Sequence, residues 1–205
     1  ISAVSQSKVY ATSDPTLIFT ASGLASTDTL SSAGITGSLA RASYGTLAGE
    51  QVGSYAIGQG TLANGNYAIS YTGASFGISA RPITVAADNQ TRVYGEANPT
   101  TGSVTLSTGS LVSGDVLSTA SVSAQASATT SAAAGSTHAL TPSAQTFASG
   151  SASNYAISYA DGTLTINPRP ITITATSGQT KVYGNSDPTL TYAVEANGAG
   201  RGQIG

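Results

Sequence analysis

Asn154-Tyr155-Ala156-Ile157-Ser158-Tyr159, followed by Asp161-Gly162-Thr163-Leu164-Thr165-Ile166, is the stretch that decides the fold class. Tyr155, Ile157 and Tyr159 alternate with Ala156 and Ser158, and Leu164 and Ile166 alternate with Thr163 and Thr165. A period of two belongs to a β-strand, because successive side chains leave opposite faces. Asp161-Gly162 between the two runs predicts a hairpin turn, since both residue types tolerate positive φ. The first six residues stand unchanged 88 positions earlier, as Asn66-Tyr67-Ala68-Ile69-Ser70-Tyr71. Thr72-Gly73 follows them, and then a return strand over 75–78. The expectation is therefore one β-hairpin, used twice.

Other blocks repeat in step with this one. Lys8-Val9-Tyr10-Ala11, Arg92-Val93-Tyr94-Gly95 and Lys181-Val182-Tyr183-Gly184 correspond. Each is followed at the same distance by Asp14-Pro15-Thr16, Asn98-Pro99-Thr100 or Asp187-Pro188-Thr189. Arg81-Pro82-Ile83-Thr84 and Arg169-Pro170-Ile171-Thr172 open the second and third copies. The chain thus divides into a first module over 1–80, a second over 81–168, and the opening of a third over 169–205. The absence of Met and the opening Ile1 to Val4 read as a piece excised from a longer protein. The stretch 197–205 carries no strand pattern and is expected to fray.

Strands are also expected around Ile83 and Val85, Ile171 and Ile173, and over 17–22, 102–106 and 190–194. The Ser, Ala and Thr-rich stretch 119–139 reads as a strand of small side chains. Neither full copy shows a helical apolar stripe of ten or more residues. The expected class is all-β, as β-sandwich-like modules arranged end to end, with β-grasp-like modules as the alternative. A β-grasp requires one helix across the sheet, and the sequence offers none.

Composition excludes several functions. Charged residues are only 8% of the chain, against roughly 25% in an average soluble domain. The net charge of -2 gives no footprint for nucleic acid. No run is long and apolar enough for a membrane-spanning helix. There is no Cys, so disulfides, thiolate metal sites and a catalytic thiol are excluded. The only His, His138, occupies the place of Tyr55 in the first copy and reads as a scaffold substitution. No carboxylate cluster has calcium-loop spacing, Asp88 and Glu96 being the only weak pair, and no glycine-rich stretch ends in the Lys-Ser/Thr of a phosphate loop. The reading is a chain with no catalytic, cofactor or metal site.

The recurring residues are read as structural. Tyr10, Tyr94 and Tyr183 suit half-buried positions whose hydroxyls bond loop backbone. Pro15, Pro99 and Pro188 form turns, and Gly95 and Gly184 suit positive φ. Ala11 in the first copy implies that this last position is not strict. Tyr67, Tyr71, Tyr155 and Tyr159 form the inner face of the expected hairpins, and Asp161 with Gly162 forms the turn. Lys8, Arg92 and Lys181 are expected over a tyrosine ring or beside an acid such as Asp115. Asp28 and Asp115 match between copies and predict a turn or cap. Arg81 and Arg169 are expected at module joints, bonded to loop carbonyls.

The pattern Val-Tyr-Gly-x-x-Asp/Asn-Pro-Thr, then Ser113-Gly114-Asp115, Asn154-Tyr155, Tyr159, Asp161-Gly162-Thr163-Leu164 and Arg169-Pro170, resembles the MBG family in its Tyr-Gly-x type. The first copy departs from it at Ala11, at Ser26-Thr27 and at Phe76-Gly77. The resemblance implies tandem modules of large bacterial surface adhesins of the filamentous-haemagglutinin kind, extracellular or surface-anchored. Tandem modules with short Pro-containing joints, Arg81-Pro82 and Pro168-Arg169-Pro170, predict a stalk or spacer, with neighbouring modules as partners. The alternative is a module that itself binds a host or matrix glycan or protein.

Overall fold

The structure, a computed structural model, describes residues 1–195; the stretch expected to fray lies outside them. The first copy contributes β1 (Ser2–Ala3), β2 (Gln6–Val9), β3 (Phe19–Thr20), β4 (Ala40–Arg41), β5 (Gly53–Gly58) and β6 (Ala74–Ser79). The second contributes β7 (Arg81–Ala87), β8 (Gln90–Val93), β9 (Thr101–Gly102), β10 (Val104–Thr108), β11 (Val116–Leu117), β12 (Ala120–Ala124), β13 (Thr137–Ser143), β14 (Phe147–Ser149), β15 (Tyr155–Ala160) and β16 (Gly162–Asn167). The third opens with β17 (Ile173–Ala175) and β18 (Tyr192–Val194). Among the described residues the only helical pieces are 3-10 turns at Ala48–Glu50 and Ala152–Asn154. The chain is all-β and forms tandem β-sandwich-like modules. The β-grasp alternative fails, for among the described residues no helix crosses a sheet.

Both full copies build a larger sheet to one plan. In the first it runs β2-β6-β5-β4; in the second β8-β16-β13-β12-β9. The second strand of each copy pairs in parallel with the closing one, β2 with β6 and β8 with β16, Lys8 opposite Ile78 and Arg92 opposite Ile166. The next strand pairs antiparallel, Tyr55 opposite Phe76 and His138 opposite Leu164. His138 therefore does occupy the place of Tyr55. Ile57, Phe76 and Ile78 lie buried on the inner face in the first copy, as do Leu140, Leu164 and Ile166 in the second. Each such side chain contributes about 1.5–3 kcal/mol by leaving water. Smaller sheets accompany these: β1-β3 in the first copy, β10-β7-β15 and β11-β14 in the second, and β17-β18 in the third.

The expected hairpin does not form. β15 lies in the three-stranded sheet and β16 in the five-stranded one, so Asp161-Gly162 turns a corner between sheets. Neither residue has positive φ. Gly162 is needed for space, because a Cβ there would lie 2.4 Å from the Ala87 carbonyl oxygen. In the first copy, 67–71 is not a strand; only Thr72 bridges, to Ser2. The small-residue stretch is a strand over β12 and again from Thr137, where β13 starts, with turns between them to Gly135. Alanine and serine offer too little surface to hold a longer strand in place.

The chain forms two compact units whose limits do not follow the sequence copies. One comprises Ile1–Thr84, Leu106–Leu117 and Phe147–Ser158; the other comprises Val85–Thr105, Ser118–Thr146 and Tyr159–Gly205. The first unit thus takes in two segments of the second copy. The second unit centres on a cluster of Ala87, Val122, Ala128, Leu140, Leu164 and Ile166.

Candidate functional site

The Asn-Tyr block of each copy anchors one constellation. The Tyr155 hydroxyl donates to Asp115 Oδ2 at 2.5 Å and accepts from the Val112 backbone N–H at 2.9 Å. In the first copy the Tyr67 hydroxyl donates to Asp28 Oδ2 and accepts from the Ala25 N–H at 3.1 Å. In both copies the N–H belongs to the third residue before the aspartate. A tyrosine-aspartate corner therefore pins the loop after β3 or β10. Burial, and next the bond to Asp115, push the Tyr155 phenol up to about 12. The bond to Asp28 raises the Tyr67 phenol. The second tyrosine of each block also bonds backbone: Tyr71 donates to the Ile57 carbonyl at 2.7 Å, and Tyr159 accepts from the Gln145 N–H at 2.9 Å.

The basic residue that opens each copy finds its partner six residues on. Lys8 pairs with Asp14 at 2.7 Å, Arg92 Nε donates to Asn98 Oδ1 at 2.7 Å, and Lys181 pairs with Asp187. Asp115 is not their partner, because it is committed to Tyr155. The residue before Pro15, Pro99 or Pro188 is held extended, which turns its side chain back to the strand. Gly95 and Gly184 have φ of 86° and 88°, and Ala11 is held at 61°. The position is thus left-handed in all three copies, and Ala11 tolerates it at a cost.

Only the first copy elaborates this pair into a buried network. Arg41, on β4, donates from Nε to Asp14 Oδ2 at 2.6 Å, from one terminal nitrogen to the Gly49 carbonyl at 2.6 Å, and from the other to Glu50 Oε1 at 2.5 Å. Lys8 also pairs with Glu50. The rings of Tyr44, Tyr55 and Phe76 lie 5.1 to 5.4 Å from the guanidinium carbon. Arg41 and Lys8 are buried, while the carboxylates reach toward solvent. Hydrogen bonding from Arg41 is the main cause holding the Asp14 carboxyl below its usual range. For Glu50 burial acts upward, but Lys8 and Arg41 together outweigh it, so its carboxyl is lowered too. Burial acts to lower the Lys8 amine, and its two carboxylates reverse this, leaving it raised. In the second copy Arg92 instead donates to the carbonyls of Val93, Ala128 and Thr129, with no acid beside it.

Tyr10 is buried, Tyr94 packs half-buried against the core of the second unit, and Tyr183 is fully exposed. Ile171 and Ile173 in the third copy are likewise exposed, although Ile83 and Val85 at the same places are buried. Nothing among the described residues covers that face. Arg81 donates to the Ser110 carbonyl at 2.9 Å and to the Tyr10 carbonyl at 3.4 Å. Arg169 donates to the Tyr94 carbonyl at 3.3 Å, the same bond one copy on. His138 sits between the hydroxyls of Ser127 and Ser136. Among the described residues no three His, Asp or Glu gather to hold a metal, and no helix is long and apolar enough to cross a membrane.

Arg41 and Tyr44 escaped the sequence reading, and so did the roles of Glu50 and Asn154. Arg41 and Glu50 occur in one copy only and leave no repeat signal. The Lys/Asp, Arg/Asn, Lys/Asp pairing at a constant interval was the available clue to the first ionic contact.

Copies that commit their tyrosines, acids and bases to their own loops define a structural repeat module. The chain belongs to the MBG domain family of the YGX type, whose model matches residues 1–77 and again 83–165. No curated protein and no solved structure matches the chain. The family is typical of extracellular bacterial surface adhesins, so the chain is an extracellular adhesin repeat, of the bacterial cell surface or secreted.

Proposed function

We propose that this chain is a spacer in a surface adhesin, holding a distal binding region away from the cell, and that it performs no catalysis. Its units of repetition are 1–80, 81–168 and the opening 169–205. One observation carries the reading. The recurring polar side chains, Tyr155 with Asp115 and Tyr67 with Asp28, are bonded to each other and to loop backbone. They serve the module itself, and a series of such modules adds reach. The test is replacement of these copies, in the full-length adhesin, by an equal number of unrelated β-sandwich repeats. Adhesion should persist, and it should fall when the copies are deleted without replacement. Loss of adhesion on replacement would reject the spacer.

A second reading rests on Tyr44, which is 68% exposed. It borders a hollow of about 400 Å³ shared with Asp14, Leu17, Ser38 and Arg41. An exposed ring beside fixed carboxylates suits a host or matrix glycan, with a sugar face on the ring and hydroxyls on the acid. Binding to a glycan array that disappears in Tyr44→Ala would establish this reading.

A further inference from the structure

The hexapeptide beginning Asn66 and that beginning Asn154 are identical, yet their surroundings differ. Asn66 is exposed and Tyr67 half-buried, whereas Asn154 is 2% and Tyr155 5% exposed. The difference lies in what covers them, and within the first compact unit that cover comes from the first copy. Asn154 Oδ1 accepts from the Val52 backbone N–H at 3.1 Å, and its Nδ2 donates to Gln51 Oε1 at 2.5 Å. Tyr55 in turn fixes this segment by donating to the Gln51 carbonyl at 2.7 Å. Tyr10 meets the Tyr155 ring edge-on at 5.7 Å, and Phe147 stacks on it at 5.1 Å. Arg81 closes the arrangement by bonding Tyr10 and Ser110.

We propose that the face formed by Tyr10, Gln51 and Val52 is a docking surface whose partner is the Asn-Tyr corner of the following copy, with Asn154 selecting the register. A buried amide suits that task. A corner displaced by one residue would leave the Asn154 side chain buried without partners, a penalty comparable to a lost hydrogen bond. The apolar stack of Tyr10, Tyr155 and Phe147 supplies attraction, and the amide supplies the address. The address is particular to this joint. By the shared register of β5 and β13, Gln51-Val52 corresponds to Ala134-Gly135, and the Gly135 N–H already donates to the Ile166 carbonyl. The second copy therefore cannot receive an asparagine by the same two bonds. Successive copies are coupled, so a change in one alters the stability of its neighbour. The inference holds whether the array is a spacer or a binder.

The test is amide hydrogen exchange on the whole chain with Asn154→Ala, and with Asn66→Ala as its matched control. Asn154→Ala should speed exchange at Val52 and along β5, in the other sequence copy, by about tenfold or more. Asn66→Ala should leave those amides unchanged. Equal effects of the two substitutions, or no change at Val52 in Asn154→Ala, would overturn the proposal. If Asn154→Ala prevents folding, Gln51→Ala removes one of the two bonds and gives a milder case. Combined with Asn154→Asp in a double-mutant cycle, Gln51→Ala should be non-additive. Strict additivity would sink the docking assignment.

Discussion

Arg41 is buried and holds Asp14 and Glu50 together. Removing one member of a buried ionic group leaves the others unpaired, which costs about 3–5 kcal/mol. Arg41→Ala should therefore lower the stability of the first unit by about that much in urea unfolding. The same network sets an acid limit. The Asp14 and Glu50 carboxyls are lowered in the folded state, so their contribution is complete above their unfolded values near pH 4. It is lost as pH falls through the folded values. The first unit should thus unfold on acidification before the second, whose Arg92 relies on neutral acceptors. Thermal melts at pH 7 and pH 3 test this, and equal losses in both units would contradict it. Tyr155→Phe removes the hydroxyl shared by Asp115 and Val112 and should cost about 1–3 kcal/mol. Tyr67→Phe should cost less, because that corner is more exposed. Ala11→Gly should stabilise the first copy by about 1 kcal/mol, since a Cβ in the left-handed region is strained.

At the scale of elements, the clearest reading from sequence was alternation. It located β7, β15 and β16, because period two reports which face a side chain leaves, but the identical run over 67–71 forms no strand, because alternation does not supply a partner. It failed on pairing. Asp161-Gly162 had the residue types of a hairpin, but β15 and β16 belong to different sheets. Turn chemistry is local, whereas the choice of partner depends on strands some 70 residues away. The same limit hid Arg41, whose acids Asp14 and Glu50 are distant in sequence or lie in a loop. The recurring glycine was legible, because only backbone geometry explains Gly beside Tyr in two copies. Ala11 shows that the left-handed position, not the glycine itself, is what recurs. Gly162→Ala should lower the stability of the second unit by about 1–3 kcal/mol, because the added methyl meets the Ala87 carbonyl and backbone must shift. Chemical denaturation would show it, and a neutral result would mean that β7 and β16 slide apart freely.

At the scale of the molecule, the compact units and the sequence repeat are out of phase. Family membership, the all-β class and the extracellular setting were readable from short motifs in fixed order. The phase was not, because it depends on contacts of Asn154 and Tyr155 with residues about a hundred positions earlier. The parallel pairing of β2 with β6 and of β8 with β16 has a further consequence. In each full copy a strand near the start and the closing strand are immediate neighbours running the same way. If a tethered cell is dragged by flow, tension carried into the one and out of the other loads them in opposite directions along their length. Tension then acts along the ladder and strains its rungs together, whereas a hairpin pulled from its open end gives way one rung at a time. Under such drag each copy should yield late and abruptly, and resistance would be set by its unfolding rate more than by its equilibrium stability. A row of such ladders would behave as a chain of mechanical fuses, absorbing a jolt by parting one at a time.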